Sequence, residues 1–169
     1  MATKSKVTGY STAQMALHWI VVLLVAFQFL AHDGIEDVWR AFVLNEPPPA
    51  GNSVLAYLHI FAGIAVLLLA LIRIYLRLTR GAPAPPEDEP RLLQLTAEAV
   101  HWSIYLLLLL LPLSGGVAWF LGVAPAGDLH ELLQKFLLAA IAFHVAGALF
   151  QHFVLRSQVL MRMLRPQRR

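Results

Sequence analysis

Four long apolar stretches separated by polar segments dominate the hydrophobic pattern of this chain. They cover roughly residues 13–31, 53–76, 92–121 and 129–155. Each is long enough to cross the hydrocarbon core of a bilayer, which takes about 20 apolar residues of helix. The pattern therefore predicts an all-α membrane protein whose four helices form a transmembrane bundle.

The segments between these stretches are predicted to be loops. Residues 32–52 are polar and rich in proline, and residues 81–90 combine prolines with acids, a composition that breaks helices and stays solvated. A short loop, residues 122–128, precedes the fourth span. Inside the third span, Pro112 and the pair Gly115-Gly116 predict a kink or a close contact between helices.

Composition narrows the class of protein further. The 169 residues, 59% hydrophobic and 14% charged, are enough for a single membrane domain, residues 1–169. The absence of cysteine excludes disulfides, iron–sulfur clusters and thiol-linked haem. The isoelectric point is about 9.6, but the basic residues flank the apolar stretches. That position indicates contact with lipid headgroups and not with nucleic acid.

The basic residues also predict the topology, because cytoplasmic loops carry an excess of lysine and arginine. With both termini inside, only Arg40 and Lys135 lie on the outer side. Ala31-His32-Asp33 after the first stretch does not resemble a cleavage site, so this helix is expected to be retained. The cytoplasmic side then receives Lys4, Lys6, Arg73, Arg77, Arg80, Arg91, Arg156, Arg162, Arg165, Arg168 and Arg169.

Four of the histidines within the apolar stretches, His18, His59, His130 and His144, are the leading candidates, because an ionisable side chain at membrane depth marks a candidate functional site. His18 is early in the first span and therefore near the inner side, whereas His59 and His130 lie near the outer side. His144 follows His130 by 14 residues, which is roughly 21 Å along a helix and only about 40° in heading. Depth therefore predicts two pairs, His59 with His130 and His18 with His144.

Two histidine pairs stacked across the membrane are what two b-type haems with histidine on both axial positions require. With both positions filled, the iron transfers electrons and does not bind substrate directly, so no catalytic residue is assigned. Two alternatives stay open, a transporter that uses histidines as transient metal ligands and an anchor without a cofactor. No acid lies between Ser53 and Ile72, which disfavours the transporter.

Three further residues near the inner side are candidate site residues. Arg73 lies within an apolar stretch and needs a partner, which a haem propionate would supply, although its side chain is also able to reach the headgroups. His101 and His152 are candidates for a quinone pocket or a propionate contact, and simple interfacial positions explain them equally well.

Several segments resemble the bacterial cytochrome b561 family, in order along nearly the whole chain. The closest similarities lie around the histidines and near the end of the chain. They are Tyr10-Ser11 through Leu17-His18-Trp19, Leu58-His59-Ile60 with Gly63-Ile64, Arg73 to Arg77, His101-Trp102-Ser103-Ile104-Tyr105 with Leu111-Pro112, His130-Glu131, His144-Val145-Ala146-Gly147-Ala148, and Arg162 to Pro166.

The resemblance implies a multi-pass protein of the bacterial inner membrane with four helices and two haems b, ligated by His18, His59, His130 and His144. It also implies ubiquinone as a redox partner, and one branch of the family oxidises superoxide at the outer face. This chain departs from that branch at Glu98 and at Gln151-His152, where the branch has further histidines.

The expected function is transmembrane electron transfer through two haems to or from ubiquinone, with superoxide as one candidate donor. The outer loops are net acidic, which disfavours attraction of an anionic donor. The alternative is a cytochrome b that exchanges electrons between the quinone pool and a periplasmic redox protein. Whether the chain forms a homodimer is left open.

Overall fold

The computed structural model describes residues 9–49, 51–86 and 89–165, which form helices and no strand. Four of these helices are long and apolar enough to cross a membrane, namely α1, α3, α4 and α5. The predicted all-α architecture with four membrane-capable helices is thereby confirmed. The helices are α1 Thr12–Leu30, α2 His32–Leu44, α3 Asn52–Arg80, α4 Arg91–Leu121, α5 Ala124–Phe153 and α6 Met161–Leu164.

The helix ends follow from local sequence. Ser11 and Gln14 form a capping box, in which the Ser11 hydroxyl accepts from the Gln14 backbone N–H at 3.3 Å and the Gln14 side chain accepts from the Ser11 N–H at 3.1 Å. Gly81 after α3 has φ of 78° and Gly122 after α4 has φ of 66°. Glycine favours this left-handed region, so each residue stops its helix.

The prediction of a loop over residues 32–52 is wrong for its first half, which forms α2. Gly34, Val38 and Ala41 recur at helical spacing, and Gly34 and Ala41 are buried. The polar residues between them conceal this pattern in the sequence. α2 packs closely on α3, since a Cβ on Gly34 would lie only 2.5 Å from the Cβ of Leu55.

Two other boundaries differ from the prediction. α5 begins at Ala124, with a proline in its first turn, so the predicted loop 122–128 shrinks to two residues. Proline is favoured there because its missing N–H would have no helical partner. α3 continues to Arg80, beyond the predicted end at residue 76.

The spans pack as neighbours in the order α1, α3, α4, α5, and the contact between α4 and α5 is the most extensive. Among the described residues, α5 has no comparable backbone contact with α1 or α3. Leu137 of α5 nevertheless belongs to the same buried cluster as Val21 of α1 and Val66 of α3. The buried core between the spans consists of Val21, Val66, Ala70, Leu108, Leu111 and Leu137.

The two ends of the bundle differ in charge. We call the end where α1 and α4 begin the basic end, and the end that carries α2 the acidic end. Of the cations used to predict topology, Lys4, Lys6, Arg168 and Arg169 lie outside the described residues. A cytoplasmic location of the basic end remains a prediction of the positive-inside rule. The described cations of the basic end are Arg73, Arg77, Arg80, Arg91, Arg156, Arg162 and Arg165.

Candidate functional site

Two pairs of histidine rings lie between the spans, one towards each end. At the basic end, the ring centroids of His18 on α1 and His144 on α5 are 6.3 Å apart, with an interplanar angle of 63°. At the acidic end, those of His59 on α3 and His130 on α5 are 6.3 Å apart at 64°. α5 thus contributes one ring to each pair.

The ring spacing fits a metal ion bound between two imidazoles. Two imidazoles on opposite sides of one ion, with metal–nitrogen bonds of about 2.0 Å and a ring radius of about 1.1 Å, have centroids about 6 Å apart. Imidazole nitrogen is a common ligand of iron, including haem iron. Within the described ranges, no group of three or more histidine, cysteine or acidic side chains is arranged to hold a bare metal ion.

His130 is held by α4. Its Nδ1 lies 2.8 Å from the Leu111 carbonyl oxygen and 3.3 Å from the Ser114 hydroxyl, which itself donates to the same carbonyl at 2.9 Å. Gly115 lies under the ring. The sequence pattern assigned Gly115 to a helix contact and did not single out Ser114, although the two residues lie within three positions of Pro112.

His59 has different surroundings. Its backbone carbonyl accepts a hydrogen bond from the Gln28 side chain of α1 at 3.0 Å. Its Nδ1 is buried and has no hydrogen-bond partner among the described residues. Gln28 lies over Gly63, where a Cβ would come within 3.1 Å of the amide nitrogen. Gln28 therefore ties α1 to α3 beside the acidic-end pair.

Arg73 lies near the basic-end pair, and one nitrogen of its guanidinium is buried. Its Nη1 has no hydrogen-bond partner among the described residues, and its Cζ lies 5.8 Å from the Tyr105 ring centroid. The next turn places Arg77 over the rings of Trp102, at 5.5 Å, and Tyr105, at 6.0 Å. A buried, unpartnered guanidinium nitrogen fits a carboxylate such as a haem propionate.

The two candidate quinone residues lie in different places. The His101 ring is 5.0 Å from that of His144, edge to face, and its Nδ1 is 2.6 Å from the Ala97 carbonyl oxygen. His152 packs on Phe153 at 4.9 Å, and its Nδ1 is buried without a partner among the described residues. Of the two, His101 is the one that the structure brings against a histidine pair.

Tyr10 joins the basic-end arginines, which the sequence did not predict. Burial raises the pKa of its phenol above the ordinary value, and the positive charges of Arg77, Arg73 and Arg162 oppose this shift. The tail helps to close this end of the bundle, as Arg162 donates to the Ala84 carbonyl at 2.7 Å and Trp19 donates to that of Met163 at 3.0 Å.

At the acidic end, both cations are paired within their own helices. Arg40 lies 2.6 Å from Glu36, and Lys135 lies 2.8 Å from Glu131. The only other described ion-pair geometry at this end joins His32 to Glu36 at 3.5 Å. These pairs reduce the positive potential that each cation presents to an anionic donor.

Comparison with protein families decides the class of this molecule. The family model described as prokaryotic cytochrome b561 matches residues 9–166. This chain belongs to the prokaryotic cytochrome b561 family. It is therefore a haem b electron-transport protein that spans the bacterial inner membrane several times, and the resemblance found in the sequence is confirmed.

Similar proteins come from several bacteria. The chain is 35% identical to a cytochrome b562 of Cereibacter sphaeroides, over 94% of this chain and 97% of the relative. It is 31% identical to a probable superoxide oxidase CybB of Yersinia pestis, over 95% and 97%. It is 28% identical to the cytochrome b561 homolog 1 of Escherichia coli strain K12, over 95% and 98%. The relative named as an oxidase supports an oxidoreductase activity.

Proposed function

We propose that this chain carries electrons across the inner membrane, between a donor at the outer face and ubiquinone near the inner face, through two haems b. The observation that carries the proposal is the pair of equal 6.3 Å ring separations at opposite ends of the bundle. His59 and His130 would hold the outer haem, and His18 and His144 the inner one. Haems held by these residues would supply one-electron chemistry.

The protein residues bind, orient and compensate charge. α5 fixes the separation of the two sites because it contributes a ring to each, 14 residues apart, or roughly 21 Å. The buried Nη1 of Arg73 is the proposed partner of a propionate at the basic end. Its positive charge would favour the reduced form of the adjacent site.

We place the quinone site at the basic end, near His101. Its ring lies against His144, and the nearby Tyr10 hydroxyl and arginines offer hydrogen-bond donors for quinone oxygens. His152, nearer the C-terminal end of α5, is a second candidate, because its buried Nδ1 has no hydrogen-bond partner in the described part of the chain. Replacement of His101 by Ala is expected to slow oxidation of the reduced protein by ubiquinone with little effect on ferricyanide, a control oxidant.

The charges of the acidic end favour a protein donor over superoxide. Arg40 and Lys135 are both paired with glutamates, and α2, the segment after it and the start of α5 carry further acids. Such a surface attracts a basic redox protein and repels a small anion. One relative is named a probable superoxide oxidase, so both donors are to be compared, by the rate at which each reduces the protein at low and high salt.

The test of transmembrane transfer uses liposomes with trapped ferricyanide and an impermeant reductant outside. The wild-type protein is expected to reduce the trapped oxidant, and His59→Ala and His18→Ala are each expected to stop this. His32→Ala, a histidine of the acidic end outside both pairs, is the matched control. Equal transfer by wild type and by both pair variants would rule out the proposed route.

A further inference from the structure

The His130 ring rests directly on the backbone of α4 at Gly115. A Cβ at Gly115 would lie 3.0 Å from both Cε1 and Nδ1 of the ring. Real Cβ atoms rarely come so close, so the ring would have to move. The neighbouring Gly116 has no such role, because a Cβ there would meet only Phe120 Cδ2 at 4.0 Å. Of these two adjacent glycines, only Gly115 makes room for the imidazole.

The hydrogen bonds of the ring determine where its proton lies. The Leu111 oxygen, 2.8 Å from Nδ1, is a carbonyl and only accepts. The Ser114 hydroxyl donates to that carbonyl at 2.9 Å, so its oxygen is also left to accept from Nδ1 at 3.3 Å. Nδ1 therefore carries the proton, and the lone pair of the neutral ring lies on Nε2.

The partner ring lacks this support. Nδ1 of His59 is buried and has no hydrogen-bond partner among the described residues. The contact from Gln28 goes to the His59 backbone carbonyl and does not hold the ring nitrogen. The two imidazoles of the acidic-end pair are therefore unequal, one anchored through Nδ1 and one not.

We propose that the Leu111 carbonyl, Ser114 and Gly115 form a seat that fixes the tautomer and direction of His130 and tunes the acidic-end haem through it. The proposal rests on the proposed function, in which His130 binds iron. A hydrogen bond from Nδ1–H to a carbonyl makes the other nitrogen a more basic ligand. A more basic ligand stabilises ferric iron, so the seat lowers the reduction potential of this haem. Ser114 and Gly115 are positioning residues in this sense.

The test is a redox titration with electron paramagnetic resonance spectra of purified holoprotein. Gly115→Ala is compared with Gly116→Ala, which adds the same methyl group one residue along the same helix. Both are made in wild type and in the His18→Ala background, which leaves only the acidic-end haem. Gly115→Ala is expected to raise the reduction potential of the acidic-end haem by about 59 mV, which favours the ferrous form about tenfold in a one-electron couple. It is also expected to shift the g values of that haem. Gly116→Ala is expected to match its parent.

Ser114→Ala keeps the test decisive if Gly115→Ala loses the acidic-end haem. It removes a hydrogen-bond partner of the His130 ring without adding bulk. The reduction potential of the acidic-end haem is expected to rise, but by less than in Gly115→Ala. Both variants could retain haem with potentials and g values equal to those of their parents. That result would overturn the proposed role of Ser114 and Gly115 but leave the proposed function intact. Wild-type protein without haem would overturn the proposed function, and the seat with it.

Discussion

The two histidine pairs have equal ring separations and opposite surroundings. At the acidic end, a backbone carbonyl and a hydroxyl hold one ring, and the exposed cations are paired with glutamates. At the basic end, the ring of His101 and the side chain of Arg73 lie beside the pair, and the buried Nη1 of Arg73 has no hydrogen-bond partner within the described ranges. Geometry suited to iron is thus repeated, whereas the electrostatic environment is not. We expect the basic-end haem to have the higher potential, which favours electron flow from the acidic to the basic end.

The largest predicted effect is the loss of one haem, and not the other, when a histidine of its pair is replaced. His144→Ala is expected to remove the basic-end haem and keep the other, and His130→Ala to do the reverse, because each site depends on its own ring of α5. Haem content and the potentials of the remaining haem measure this. His32→Ala, a histidine outside both pairs, is the control. Loss of both haems from either variant would contradict the independence of the sites.

A second prediction disturbs only the acidic end. Gly34→Ala places a Cβ 2.5 Å from the Cβ of Leu55, so α2 must shift away from α3, at a cost of about 1–3 kcal/mol in the free energy of unfolding. Thermal unfolding in detergent measures the cost. Gly147→Ala, with no atom within 4 Å of its added Cβ, is the control. In a redox titration of Gly34→Ala, only the acidic-end potential is expected to move. A basic-end potential that moved as far would argue against this localisation.

A third prediction concerns the basic end alone. Arg73→Gln removes a partly buried positive charge and is expected to lower the potential of the basic-end haem by an amount equivalent to roughly 1 kcal/mol. Arg80→Gln, at the exposed end of the same helix, should shift it much less, because solvent screens that charge. Redox titration of both variants compares them. An unchanged potential in Arg73→Gln would remove Arg73 from the site.

The smallest effect is predicted at the surface of the acidic end. Arg40→Gln and Lys135→Gln each break an exposed ion pair, worth about 0.2–1 kcal/mol at most. Because neither cation is free to attract an anion, the rate of reduction by superoxide is expected to change by less than about threefold. Stopped-flow spectroscopy measures the rate. A loss of tenfold or more would show that these cations guide an anionic donor.

The sequence predicts the spans well because lipid imposes a simple requirement. About 20 apolar residues must be continuous, so α1, α3, α4 and α5 are visible without knowledge of packing. Depth along these spans also predicts which histidine rings lie near one another, since helix rise converts residue number into height. Their role as iron ligands stays a prediction.

The features that the sequence did not predict depend on tertiary contacts. α2 is concealed because its buried face uses the small residues Gly34 and Ala41 among acids. The close contact at Gly115 appears only when α5 places His130 over it. Tyr10 lies before the first helix, and only folding brings it to Arg77 and Arg162. Small residues and long-range polar contacts leave little periodic signal in the sequence.

The haem content of the purified wild-type protein tests the central claim most directly. A pyridine haemochrome assay against protein concentration, with a reduced-minus-oxidised spectrum, gives the number and type of haems per chain. Two haems b, both low-spin and unresponsive to carbon monoxide, are predicted by the two histidine pairs. A single haem in fully loaded protein would contradict the account, because one of the two 6.3 Å pairs would then have no cofactor.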